Sequence, residues 1–402
     1  MNKSKEILAR HRTRIRFRGG DMDFVFSYML GLADQLTGHG PPFAAAARVR
    51  DAKASDWRRE FGRLADRARA HAADAATEGR REEARQWCLT DCYANRAALQ
   101  FTDPASTEFA ERWRRMEDAF ADAMRWWRAP VTALEIPFDH ASLPGYLLRI
   151  DEEPRPAILM IGGGDTSRED LFVFVGLAAW QHGYNAIMVD LPGQGRTPAR
   201  GLTFAVDMER PIRAVLDRLL GEIPSTTHVA AYGVSGGGYF SCQAVATDPR
   251  IDAWIAATPI HDVAELFRQE FGAALRAPGP LTRLLLALAG RVNEAAEVNL
   301  RRYAWQFGTT DFVGAVREVL AQARPVDLDR IGCPALFLVG EGEGRELHRQ
   351  LAEAEANLTA RGVPVTVRRF AAADGADAHC QVNNLRLAHA VIFDWLGEQF
   401  GR

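Results

Sequence analysis

A serine between glycines is the first sign of chemistry in this 402-residue chain. Gly233-Val234-Ser235-Gly236-Gly237 has the G-x-S-x-G spacing, in which a serine is raised on a tight strand-to-helix turn and glycines let neighbouring backbones come close. The flanks suit such a turn, with strand-like residues at 229–232 and helix-like residues at 239–246. Attack by Ser235 on a carbonyl would create an oxyanion, which needs preorganised N–H donors. The backbone N–H of Gly236, the residue after the nucleophile, is one expected donor. The other is expected from Gly162-Gly163-Gly164-Asp165, a loop that ends an apolar strand, with Gly164 best placed by position.

A serine of this kind needs a base, and the chain order expected after it is acid, then histidine. Among ten histidines, His379 follows the last expected strand, 364–370, in Asp374-Gly375-Ala376-Asp377-Ala378-His379-Cys380. His389 lies inside the final helix and reads as a surface or packing residue. The acid that orients the imidazole is sought after the strand at 334–339, where the chain reads Gly340-Glu341-Gly342-Glu343-Gly344 and offers no aspartate. Glu343 takes the usual position, Glu341 comes one pleat earlier, and Asp262, at the end of the strand at 251–257, is the alternative acid. Asp190-Leu191-Pro192-Gly193-Gln194-Gly195 lacks phosphate-loop spacing and reads as scaffold that shapes the pocket floor.

The elements that would hold these residues alternate. The apolar run at 157–161 and the stretches at 185–190, 227–232, 251–257, 334–339 and 364–370 read as strands. Helical stretches at 169–181, 204–220, the segment after Ser235 and the C-terminal segment to Phe400 separate most of them. Continuous apolar runs suit strands covered on both faces, and the alternation predicts a mostly parallel sheet wrapped by helices, preceded by a hairpin at 134–138 and 145–150. Residues 1–130 read as helical throughout: Phe24, Tyr28, Leu32 and Leu36 repeat at helical spacing, Ser55 is an expected N-cap, and Phe109, Trp113, Met116, Phe120, Met124 and Trp127 follow in steps of three and four. The expected organisation is a helical cap domain at 1–130 and an α/β catalytic domain at 131–402. Residues 263–327 form a helical insertion over the carboxyl ends of the strands, where ligands bind in such sheets.

Composition excludes other classes. A net charge of −3, with both signs interspersed, does not suit a nucleic-acid binder. The greasiest run, 281–289, is broken by Arg283 and too short to span a bilayer, and the basic start lacks the apolar stretch of a secretory signal. Five scattered cysteines describe no disulfide framework and point to the cytoplasm; Cys88 and Cys92 have no partner pair at metal-ligand spacing and read as core. No cofactor or metal is called for, and the expected partner is a small-molecule substrate.

The segments Gly162-Gly163-Gly164-Asp165-Thr166-Ser167-Arg168-Glu169-Asp170, Asp190 to Gly195, the turn around Ser235 and Asp374 to His379 together resemble one branch of the α/β hydrolases. That branch holds 2,6-dihydroxypseudooxynicotine hydrolase, the fungal polyketide-shortening hydrolases of secondary metabolism and the fermentation–respiration switch esterases. Asp56-Trp57-Arg58-Arg59-Glu60 and the helix with Tyr93 and Arg96, followed by Phe101, are similar to the cap of that branch. The resemblance implies an α/β-hydrolase fold with Ser235 as nucleophile, His379 as base and Glu343 as acid, a departure from the aspartate usual there. It implies hydrolysis of a C–C bond beside a ketone in an aromatic or polyketide-like molecule, and a homodimer. A carboxylesterase with the same triad is the alternative; a lyase or cyclase without water, or a binding protein on the same scaffold, is the alternative of another class.

Overall fold

Alanine-rich sequence with large apolar residues three and four apart builds the helices of the first third. The computed structural model describes residues 14–18, 20–276 and 293–401. The basic start up to residue 13 and the apolar run at 281–289 lie outside the described residues. Helices α1 (Gly20–Asp34), α2 (Gly40–Ala46), α3 (Ala54–Thr77), α4 (Arg81–Leu99) and α5 (Thr107–Trp127) follow one another before the sheet begins. In α3, Trp57, Phe61, Leu64 and Ala68 fall on one buried stripe. Trp57 is fully buried against Phe17, Phe26, Phe61 and Phe101, and its Nε1 donates to the Ala97 carbonyl at 2.7 Å. These rings form core. Ser106 caps α5 by accepting from Phe109 N at 3.2 Å. Ser55 does not cap α3: the helix starts one residue earlier, at Ala54, and the Ser55 hydroxyl is spent on Glu294.

Eight strands form one sheet: β1 (Val131–Phe138), β2 (Ala141–Leu148), β3 (Arg155–Ile161), β4 (Asn185–Val189), β5 (Thr226–Val234), β6 (Ala253–Ala257), β7 (Ala335–Gly340) and β8 (Val365–Phe370). Their spatial order is β1-β2-β4-β3-β5-β6-β7-β8. The hairpin β1–β2 joins β4 antiparallel, and every later pairing is parallel. β4, β6 and β7 are buried at every residue, as the largely apolar composition of these strands requires.

Helices α6 (Arg168–Leu171), α7 (Leu177–Gln181), α8 (Glu209–Glu222), α9 (Gly237–Thr247), α10 (Val263–Arg276), α11 (Glu294–Gln306), α12 (Phe312–Gln322), α13 (Arg345–Ala360) and α14 (Leu385–Phe400) complete the chain. A π-helical turn, Phe172–Gly176, joins α6 to α7. α8 starts later than the 204 expected. Phe204 lies in loop backbone, its N–H bonded to the Gln306 carbonyl at 2.9 Å, and its ring packs on Phe240 and Phe307. An apolar residue packed from a loop had imitated helical periodicity.

The described residues divide into two compact units, one holding the sheet (131–276 with 306–401) and one of helices (from 14 to 130, with 293–305). The stretch 263–327 is thus shared between them. α10 and α12 go with the sheet. The described residues up to Trp305 go with the helices, where Glu294 meets Lys53 at 2.8 Å, Arg301 meets Asp103 at 3.0 Å, and Trp305 packs edge-on against Phe109. No helix among the described residues is long and apolar enough to cross a membrane, and no His, Cys, Asp and Glu cluster among them could hold a metal ion.

Candidate active site

The residues picked out by type meet at the carboxyl edge of the parallel strands. Ser235 follows β5, in the middle of the sheet, and the Gly162–Gly164 loop follows its neighbour β3. Glu343 follows β7, and His379 follows β8. Ser235 has φ +57°, the left-handed conformation that a side chain adopts only when its surroundings hold it there. Its N–H donates to the Ala257 carbonyl and its carbonyl accepts from Gly238 N, both at 2.8 Å. A side chain at Gly237 would collide with the Ile161 carbonyl, so only glycine lets α9 start this close to β3.

His379 Nε2 lies 2.9 Å from Ser235 Oγ. Its Nδ1 lies 3.3 Å from Glu343 Oε1. The imidazole and Glu343 are both buried, while Ser235 is partly exposed. Three donors or rings converge on the carboxylate: Cys380 N donates to Oε1 at 3.2 Å, His379 faces the same oxygen, and Thr258 Oγ1 donates to Oε2. Burial works against a charged imidazole, but the contacts with Cys380 and Glu343 outweigh it and hold His379 well above its ordinary 6.5. Burial also pushes the Cys380 thiol up, and a thiol so raised is uncharged near neutrality.

The competing residues sit elsewhere. Asp262 Oδ1 accepts from Glu265 N at 3.0 Å, which makes it a cap for α10. Glu341 Oε2 accepts from Ala372 N at 3.1 Å on an exposed loop. His389 is buried in α14 against the Phe174 carbonyl, and burial pushes its pKa down to about 4. None of the three contacts Ser235.

Two backbone amides flank the serine. A Cβ built on Gly163 would lie 2.6 Å from Ser235 Cβ and 2.9 Å from Gly236 N, so this loop touches the serine turn only because Gly163 has no side chain. The N–H groups of Gly236 and Gly164 have no acceptor among the described residues. That of Gly163 is spent on Thr166 Oγ1 at 3.2 Å. Gln194, in the Asp190–Gly195 loop, donates from Nε2 to the Gly162 and Gly163 carbonyls at 2.6 and 3.0 Å, and its Oε1 accepts from Leu191 N at 2.9 Å. In a trans peptide the C=O and N–H point opposite ways. Gripping the Gly163 carbonyl therefore turns the Gly164 N–H away from Gln194. Gln306 holds the Gly164 carbonyl in the same manner. Gln194, Gln306 and Thr258 are the contributors that sequence patterning missed. Their one visible signal is a polar residue at a buried strand end or loop, as at Ala256-Ala257-Thr258. Such an arrangement can take a proton from a hydroxyl, return it to a leaving group, and hold a developing oxyanion.

No family profile matches the chain. Among curated proteins it is similar to hydrolase LUC6 of Fusarium sp, 25% identical over 94% of this chain and 96% of that one. It is also similar to 20-hydroxy-prefusarin hydrolase FUS2 of Gibberella moniliformis, 28% identical over 80% of this chain and 82% of that one. Among solved structures it shares its fold with 2,6-dihydroxy-pseudo-oxynicotine hydrolase, with a TM-score of 0.63 and 19% identity over 92% and 94% of the two chains. The resemblance to these hydrolases holds along most of the chain, and the protein is a hydrolase of the α/β-hydrolase fold.

Proposed function

We propose that this hydrolase uses Ser235 as nucleophile, His379 as base and Glu343 as the acid that orients it, and that it splits a C–C bond beside a ketone in an aromatic or polyketide-like small molecule. The observation that carries the triad is the 2.9 Å approach of His379 Nε2 to Ser235 Oγ, with Nδ1 turned to a buried carboxylate. The bond class is what the resemblance implies, and a small-molecule substrate is supported by the names of similar proteins, which put hydrolysis on 20-hydroxy-prefusarin and 2,6-dihydroxy-pseudo-oxynicotine.

In this reading Ser235 Oγ adds to the ketone carbon as its proton passes to His379 Nε2, and the oxyanion is received by the N–H groups of Gly236 and Gly164. The C–C bond then breaks. Its electron pair leaves as an enolate or electron-rich aryl carbanion, which takes the proton from His379, and the acyl group stays on Ser235. Water attacks that ester while His379 accepts its proton, releasing a carboxylic acid and the free serine.

The test has two arms. An intact-mass shift with a fluorophosphonate, absent in Ser235→Ala, supports the nucleophile; an unlabelled wild-type protein overturns it. Incubation with an aryl 1,3-diketone should give one acid and one methyl ketone, whereas brisk turnover of an aryl ester beside an untouched diketone would make the enzyme a carboxylesterase.

A further inference from the structure

Thr258 stands one residue past β6 and is fully buried beside β7. Everything before it in the strand is apolar, and valine would fill the same shape there without a hydroxyl to desolvate. A buried hydroxyl is retained at a cost unless it is bonded. Thr258 Oγ1 reaches two acceptors, the Leu338 carbonyl at 3.2 Å and, closer, Glu343 Oε2. A hydroxyl has one proton to give, and a carboxylate is the stronger acceptor, so the proton goes to Glu343.

That bond matters because of what the acid is. Glutamate has one more rotatable bond than aspartate, so a single contact leaves its carboxylate free to turn. Here Oε1 is met by Cys380 N and faces His379, while Oε2 is met by Thr258, and together these fix both oxygens. The same residue is tied to the nucleophile's helix: a side chain at Gly238 would strike the Thr258 carbonyl, so the start of α9 rests against it.

We infer that Thr258 is a positioning residue that locks the Glu343 carboxylate in the one orientation that serves His379. This rests on the triad reading above. Its test measures the rate at which a fluorophosphonate labels Ser235 in the full-length protein, which requires no knowledge of the substrate. Thr258→Val should label roughly ten-fold more slowly than wild type, the size of coupling expected between contacting polar groups. Thr258→Ser, which keeps the hydroxyl, should stay within about two-fold. In a Glu343→Ala background, Thr258→Val should change the rate by less than about two-fold, since nothing is left for the hydroxyl to hold.

Equal rates for wild type and Thr258→Val would overturn the inference. So would a serine variant as slow as the valine one, or a loss as large without Glu343 as with it. If Thr258→Val fails to fold, Thr258→Ala takes its place in the cycle. A wild-type protein that does not label at all condemns the triad reading instead, and does so before any variant is made.

Discussion

Glu343 in the sheet unit and Asp91 in the helical unit are both carboxylates withdrawn from solvent, 6% and 5% exposed. Glu343 has donors on both oxygens and an imidazole against one of them. Asp91 accepts from Asn95 Nδ2 at 2.7 Å, and the Arg115 guanidinium stands 3.8 Å away. Burial pushes Asp91 up to about 7, against the pull of Arg115 and Arg69. Taking a carboxylate out of water is costly in either place. What differs is how far along the chain the hydrogen-bonding donors come from. In the sheet unit, segments separated by tens of residues bring donors to one point, which is how an active site is assembled. In the helical unit the bonded neighbour is one turn away on the same helix, which is how a core polar group is accommodated.

That contrast can be tested by removing each acid. Glu343→Gln should lower kcat by roughly 10²–10⁴-fold with KM nearly unchanged, because the loss falls on the base's orientation and charge. The wild-type rate should fall as pH drops through the His379 pKa, which lies above 6.5, since the protonated imidazole cannot accept from Ser235. Without the carboxylate that limb should move to lower pH. A variant with wild-type kcat and an unmoved limb would erase the distinction between the two acids.

Asp91 should reveal itself in stability and leave rate alone. Its folded pKa is raised, so the stability it contributes is complete below the unfolded value of 3.8 and is lost as pH rises through about 7. Asp91→Asn should therefore stabilise the protein at pH 8 by on the order of 4 kcal/mol and leave it little changed near pH 4, as read by calorimetric melting at both pH values. If melting at pH 8 were unchanged, Asp91 would be as well served as Glu343.

Smaller effects refine the picture. Gln194→Ala frees the Gly162 and Gly163 carbonyls and should cost kcat roughly ten-fold or somewhat more, since one oxyanion donor is worth about 10²–10³ and only its aim is lost. An unchanged kcat would show that the loop holds its shape without that amide. Ser106→Ala removes the N-cap of α5 and should cost about 1 kcal/mol in chemical denaturation, with no change in the labelling rate of Ser235.

The parts that could be read ahead were those with local signatures. Glycines around Ser235, unbroken apolar strands and the order serine, acid, histidine brought the eye to Ser235, Glu343 and His379, and the structure sets these side chains side by side. Thr258 and Gln194 had no such signature. Their partners lie 85 and 31 or 32 residues away in the chain, and neither spacing nor periodicity encodes a contact that only the folded sheet creates. The stretch at 157–161 gave its strand plainly because burial on both faces leaves an unbroken apolar run. Phe204 misled for the opposite reason, since its burial comes from a tertiary contact and not from a helix face.

The two residues that follow His379 have a consequence for motion. Cys380 and Gln381 both hold positive φ, +57° and +53°, and neither is glycine. Each such residue costs about 1–2 kcal/mol over an ordinary conformation, so a reversal of this bend recovers energy that opening of β7, which holds no positive-φ residue, does not. Amide exchange at 380 and 381 should accordingly be faster than in β7, although both are equally hidden from water. The segment bearing His379 should then open before β7 does, and thermal inactivation would start there while the sheet is still intact.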